Sequence, residues 1–548
     1  MFKGFNKSVI VFMSIVLLMG MVLAACGNDG KSSGAGGDQV FRMILGSEPP
    51  SLDPGLAQDN NSSTVLRPIY DGLTRKDENG EVKGAAAEKW EVSKDGLKYT
   101  FNLRKDAKWS NGDPVKASDF VFAWKRALDP AFAAPYAYQL YYIKNAEEYN
   151  TKKITDANQI GVKAVDDYTL EVELKAPTPY FDSLVSFYTY FPLNEKHVKA
   201  TPKFAAEANT MVTNGAFTIK EWKHNDSITL AKNESYYGAK DIKLATVNMK
   251  ILNDANTQLQ MYNSGEIDWV GRPVGEIPVD KLPSLKADKN FGLQVKGIAS
   301  SYYYEFNTKQ APFDNAKIRK AFAMAIDRKS IVEKVTLGDQ IPAFGFVPPG
   351  IKGEKKTFRE EVKDDYFKED VNEAKKLLEE GLKEKGLTKL PQVTLIYNTS
   401  EAHKKIAEAV VDMWKKNLGA DIKLENQEFG VYIKNRQTGN FQIARAGWGA
   451  DYNDPMTYID LLMTGGGNNN SKYSNAEYDK LVKEAQTTQD DKKRMEAMAK
   501  AEKLMVSEMP IIPVYYYTGI WAQKPYVKNV FIDYKGDIDF TKGYIEKK

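Results

Sequence analysis

Cys26 is the only cysteine in 548 residues, and it stands directly behind an apolar run. Val9 to Ala25 is interrupted only by Ser14 and Gly20, and Lys3 and Lys7 put positive charge ahead of it. Charge, apolar stretch and small residues in that order are the layout of a secretory signal, and the run is at the short end for a membrane span. The remaining chain is therefore expected to fold outside the cytoplasm with no intramolecular disulfide. It has the length to do so. At about 100–200 residues per domain there is material for three or four domains, and cores of that size need no covalent staple. A cysteine–histidine metal site is excluded too, because the histidines are only His197, His224 and His403.

Gly27 to Gly37 is rich in Gly, Ser and Asn and lacks apolar periodicity, which predicts a flexible tether. No later stretch approaches 18 apolar residues, so the mature chain is expected to be soluble. The formal net charge is only +3, with lysines and acids interleaved, which gives no electrostatic case for nucleic acid. Thirty Tyr and 8 Trp offer apolar area with a polar handle, suited to a binding cleft as well as to cores. No Gly-x-Ser-x-Gly elbow joins a strand to a helix, and there is neither a phosphate-binding Gly-x-x-x-x-Gly-Lys-Ser/Thr loop nor a His-Glu-x-x-His helix. Nothing local singles out a carboxylate pair for glycoside cleavage among 73 acids. These absences argue for a binding protein, with no cofactor and no metal, over an enzyme such as a secreted hydrolase.

Order is predicted from Gln39. Val40–Leu45, Lys98–Leu103 and Tyr168–Leu174 read as strands. A helix is predicted from an N-cap at Ser118 through Leu128, with Asp119 in its first turn. Asn214-Gly215 reads as a tight turn of the hairpin kind ahead of a strand. Helical spacing marks Asn315–Ile326 and Lys492–Val506, and Glu401–Leu418 is a helix closed by Gly419. Ile422–Leu424 and Ile511–Tyr517 are further strands. Mixed throughout, the pattern is α/β with more than one sheet.

Several segments then carry a resemblance. Ala87-Glu88-Lys89-Trp90, Ala107 to Gly112, Val212 to Ala216 and Ser264 to Asp268 occur in order, followed by Arg445-Ala446-Gly447-Trp448-Gly449-Ala450-Asp451-Tyr452-Asn453-Asp454-Pro455. From about residue 40 to the end, the chain resembles the oligopeptide-binding proteins of bacterial ABC importers, the peptide branch of the extracellular solute-binding proteins. Leu23-Ala24-Ala25-Cys26 resembles the bacterial lipobox, in which the cysteine is cleaved to position one and lipidated. The resemblance implies a periplasmic-binding-protein-like class II α/β fold with three lobes, two of them hinged around a buried ligand. The expected division is signal 1–25, tether 26–38, lobe I from 39–70, 195–302 and 519–548, an added lobe II at 71–194, and a closing lobe III at 303–518.

The resemblance also implies roles. Asp451 would take the α-ammonium of a peptide, and Arg445 and His403 would meet its carboxylate. Trp448, Phe429, Tyr136 and Tyr517 would line side-chain pockets beside Gly447 and Gly449, with Arg436, Gln58 and Asn468 more peripheral. Phe429 replaces a tryptophan of some relatives, Gly449 a cysteine, Gln58 an acid and Thr336 a lysine, so pocket shape and length preference are expected to differ. His403 precedes Ile406 and Val410 on one helical face, so core packing is its competing role. Implied partners are short peptides, the membrane permease and the membrane itself through lipid on Cys26, with the protein a monomer. Dipeptides, cell-wall peptides and peptide pheromones are the alternative ligands.

Overall fold

Alternation decides which residues enter the first sheet. In the strand Val40–Leu45, Phe41, Met43 and Leu45 are buried on one face. This strand pairs in parallel with Thr246–Ile251, some two hundred positions later, and Ser227–Lys232 and Phe217–Lys223 continue the sheet antiparallel. A second, antiparallel sheet has the order Ala87–Val92, Lys98–Leu103, Thr169–Glu173, Val162–Asp166. Tyr99, Phe101, Leu170 and Val172 form its buried face. The computed structural model describes residues 39–77, 80–488 and 490–546, so the expected signal, tether and Cys26 lie outside the described residues.

The third sheet has seven strands and is mixed. Its centre is the long strand Gln294–Phe306, flanked by the equally long Ile511–Gln523 and by Ile443–Gly449, both antiparallel to it. Tyr302, Tyr303 and Tyr304 are all buried, which follows from a central strand covered on both faces. Val393–Asn398 runs parallel to both Ile443–Gly449 and Ile422–Gln427. Parallel neighbours need a helical crossover, and Glu401–Leu418 supplies it. Ile406, Ala407, Val410 and Trp414 form its buried stripe, Ser400 caps it, and Gly419 closes it at φ 67°.

Two local expectations are corrected. The helix Ala117–Leu128 starts before Ser118, which lies inside its first turn. Asp119 does the capping instead. Its Oδ2 accepts the Lys116 N–H at 2.9 Å and the Trp109 Nε1–H at 3.0 Å. Asn214-Gly215 makes no hairpin. Asn214 bonds both backbone groups of Asp71 at 3.0 Å, and a Cβ on Gly215 would lie 2.4 Å from the Ile69 carbonyl carbon. The glycine is there because two segments cross at van der Waals contact. The hairpin turn comes later, at Asn225 with φ 61°.

Among the described residues no helix is long and apolar enough to cross a membrane, and no three His, Cys, Asp or Glu side chains are grouped to hold a metal.

Candidate functional site

The strand Ile443–Gly449 leaves one edge open. Its partner Val393–Asn398 pairs only with Ile443 and Ala444 before diverging. On the other edge, the Ala450 N–H donates to the Ala299 carbonyl at 2.9 Å, and the antiparallel register runs unbroken from Ser300–Gly449 to Phe306–Ile443. Antiparallel bonding alternates, so the backbone groups of Arg445, Gly447 and Gly449 point away from Gln294–Phe306. The Arg445 carbonyl is taken by the Tyr432 hydroxyl. Gly447 and Gly449 present N–H and C=O to a cavity of about 360 Å³, within the usual span for small-ligand sites of roughly 300–1,000 Å³.

All twelve residues singled out from the sequence as ligand contacts line this one cavity. Arg445, Gly447, Trp448 and Gly449 come from the open strand, and Asp451 from the turn after it. His403 is presented by the first turn of Glu401–Leu418, and Phe429 and Arg436 by the helix Phe429–Thr438. Tyr517 comes from Ile511–Gln523, Gln58 from the loop before the helix Asn60–Ile69, and Tyr136 and Asn468 from loops. Tyr136 packs within an aromatic cluster, its ring 4.9 Å from Phe187, 5.7 Å from Tyr188 and 6.1 Å from Trp448. Arg436 is already neutralised, its Nε 2.6 Å from the buried Glu305 carboxylate. It shapes the wall without offering a free charge.

One end of the cavity holds a buried carboxylate. Asp451 is 7% exposed. Its Oδ2 accepts the Gln139 Nε2–H at 2.6 Å, and it has no ion-pair partner among the described residues. Burial pushes its carboxyl up to about 7, against the pull of Lys535 and Lys76. Lys76 donates to the Asp451 backbone carbonyl at 3.3 Å, and burial, reinforced by Lys535, pushes its ammonium down to about 7. Lys535 itself is committed to Asp537 at 2.7 Å. Burial raises Asp537, but Lys535 and Arg67 outweigh it and hold that carboxyl well below the usual range.

The other end is cationic. Arg445 hydrogen-bonds the Tyr517 hydroxyl, lies 4.7 Å from the Tyr302 ring centroid, and has a buried Nε with no partner. Arg272 lies 4.9 Å over the Tyr517 ring. Neither has a carboxylate in ion-pair range among the described residues. His403 is held well below its ordinary range by burial and then by Arg445 and Arg272, so it is neutral at pH 7. Its Nδ1 is buried without a partner. Its ring lies 5.6 Å from that of Tyr302. Ser400, which caps the helix through the His403 N–H, donates its hydroxyl to Glu276 at 2.6 Å. Thr336 also lines the cavity, donating to Gln340 at 2.7 Å.

Sequence reading missed Arg272, Glu276, Tyr188, Tyr303, Lys535 and Asp537, all of which line the cavity. Arg272-Pro273 follows a short apolar strand, and Lys535-Gly536-Asp537 is an ordinary polar turn. Neither string differs from many surface strings in this chain.

An α/β chain that gathers side chains from distant segments around one cavity, with a buried carboxylate at one end and unpaired guanidiniums at the other, is a solute-binding protein of the periplasmic-binding-protein class. The comparisons make this specific. Residues 81–470 match the family described as bacterial extracellular solute-binding proteins, family 5 Middle. The oligopeptide-binding protein OppA of Bacillus subtilis is 46% identical over 97% of this chain and 98% of its own. A crystal structure of Haemophilus influenzae OppA in complex with RPPGFSPFR superposes with TM-score 0.88 at 35% identity, covering 93% of this chain and 99% of that one. The chain belongs to family 5 of the extracellular solute-binding proteins. The Escherichia coli murein tripeptide binding protein MppA superposes with TM-score 0.86 in one structure (34% identity, 93% of this chain and 99% of that one). Its unliganded open form reaches only 0.61, again at 34% identity and covering 93% and 98%.

Proposed function

We propose that this chain is the substrate-binding lipoprotein of an ABC importer, closing on short oligopeptides and handing them unchanged to the permease. The observation that carries the reading is the cavity's charge layout. A buried carboxylate with no partner at ion-pair distance stands at one end, guanidiniums with none at that distance stand at the other, and an open strand edge runs between. A peptide supplies the complement of all three. Its ammonium neutralises Asp451, its carboxylate meets Arg445 with His403 as a neutral donor, and its amides pair with Gly447 and Gly449 as an added strand. Side chains occupy the pockets of Tyr136, Trp448, Phe429, Tyr517, Arg436, Asn468 and Gln58, where water adapts to what the protein does not read.

Closure uses a hinge between lobe I (39–70, 195–302, 519–548) and lobe III (303–518), with lobe II (71–194) an added module. What supports the division is that the boundaries at 302/303 and 518/519 fall inside the two long paired strands, which run on from one lobe into the other. Lipid on Cys26 holds the monomeric receptor at the membrane face. Calorimetry with a tripeptide and its N-acetylated form tests the reading. The free amine should bind at least a hundredfold tighter, and equal affinities would refute the anchor.

A further inference from the structure

Nine of the twelve arginines among the described residues have a carboxylate within ion-pair range. A tenth, Arg319, spends its N–H groups on the backbone carbonyls of Phe313, Glu508 and Met509. The remaining two, Arg445 and Arg272, both face the ligand cavity. Arg445 already has a role in the peptide reading. For Arg272, the polar contact its guanidinium makes is to the adjoining Pro273 carbonyl at 3.3 Å, and its face lies against Tyr517. Its own backbone N–H is fixed to the Ile520 carbonyl at 3.0 Å, so the side chain springs from a pinned strand end. A guanidinium has five donors in a planar fork. Arg272 is half-buried in the cavity wall, and most of these donors have no protein partner, which leaves them free to meet a ligand.

We propose that Arg272 is a second carboxylate anchor of the cavity, separate from Arg445, which selects peptides that place an additional or more distant carboxylate over Tyr517. This rests on the peptide reading above. Arg272 and Arg445 share Tyr517, one stacking on its ring and the other bonding its hydroxyl. The two anchors therefore mark neighbouring registers of one extended ligand. The carboxylate can come from the C-terminus of a longer peptide or from an acidic side chain, and the chemistry at the guanidinium is the same.

The test is calorimetric binding of alanine peptides of three to six residues, free and C-amidated, with Glu or Gln at each position. The proteins are the wild type, Arg272→Gln and Arg272→Lys. Arg272→Gln should lose roughly ten- to a hundredfold in affinity for one subset of carboxylate-bearing peptides, as expected for a charge-assisted bond. It should stay within twofold for the others, and Arg272→Lys should fall between. If C-amidation removes the difference, the source is the terminus; if Glu-to-Gln exchange removes it, the source is a side chain. Either result supports the anchor. A uniform loss across all peptides, or no loss in any, overturns it while leaving the peptide reading intact. Failure of the wild type to bind any peptide would overturn both.

Discussion

Asp451 ties the proposed function to stability with a definite sign. Its folded pKa is raised from 3.8 to about 7, chiefly by burial. Between those values the folded chain holds a proton that the unfolded chain has lost, so stability falls as pH rises through this window. A shift of roughly three units is worth about 4 kcal/mol at most, at 1.36 kcal/mol per unit. Opening of the cleft hydrates the carboxylate and lowers that figure. Asp451→Asn cannot ionise. At pH 8 the free variant should be more stable than the wild type, by about 1–4 kcal/mol or roughly 1–4 °C in a chain of this length. At pH 4 the two should converge. Peptide affinity should move the other way. Removing one partner of a buried charge pair costs about 3–5 kcal/mol, or roughly two to four orders of magnitude in Kd. In the wild type, affinity should weaken as pH drops below about 7, because the peptide ammonium must then displace a proton. Thermal unfolding from pH 4 to 8, with calorimetry in buffers of different ionisation enthalpy, reads both effects. A variant that is less stable at pH 8, or that still binds free-amine peptides within a few-fold, would refute the reasoning.

Three further outcomes are expected. Burial lowers Lys76 to about 7, so stability should rise with pH from about 7 to 10.5, where only the unfolded chain is protonated; Lys76→Met should flatten that slope and stabilise the free protein most at pH 6, as read by urea unfolding. Glu305→Gln strands the Arg436 guanidinium in the cavity wall and should cost about 3–5 kcal/mol in the same assay. Gly215→Ala drives a methyl against the Ile69 and Tyr70 backbone; it should destabilise by about 1–3 kcal/mol or more in chemical denaturation, while peptide affinity of the folded fraction stays unchanged.

What the sequence conveys depends on how local the information is. The helix Glu401–Leu418 was legible to the residue because Gly419 closes it and Ile406, Val410 and Trp414 repeat at helical spacing. The partner of Val40–Leu45 was not, since a parallel pairing across two hundred positions leaves no local trace. Asn214-Gly215 misled because the same dipeptide serves a hairpin and a chain crossing, and only the position of Ile69 decides between them. The site divides the same way. Arg445 to Asp451 were found together because they are contiguous and the resemblance runs through them. Arg272 was missed because one cation among 76 looks like a surface charge until its neighbours are known. Its significance lies in a partner it lacks, which a string of letters does not encode.

The uncompensated charges also account for ligand-dependent closure. Shutting the empty cleft removes water from Asp451, Arg445 and Arg272 and returns no ion pair, which costs several kcal/mol per group if each is left ionised. The protein escapes part of that cost by titration, as the raised Asp451 carboxyl shows. The arginines have no such escape. Closing on a peptide restores two or three pairs at once, so the free energy that separates open from closed lies in the wall rather than in the hinge. A hinge substitution should therefore change how fast the lobes move, and a wall substitution whether they close without cargo. Combining Asp451→Asn with Arg445→Gln should yield a receptor that adopts the compact form without peptide. Small-angle scattering of the ligand-free protein would show this as a smaller radius of gyration than that of the ligand-free wild type, and an unchanged radius would assign the open–closed balance to the hinge instead.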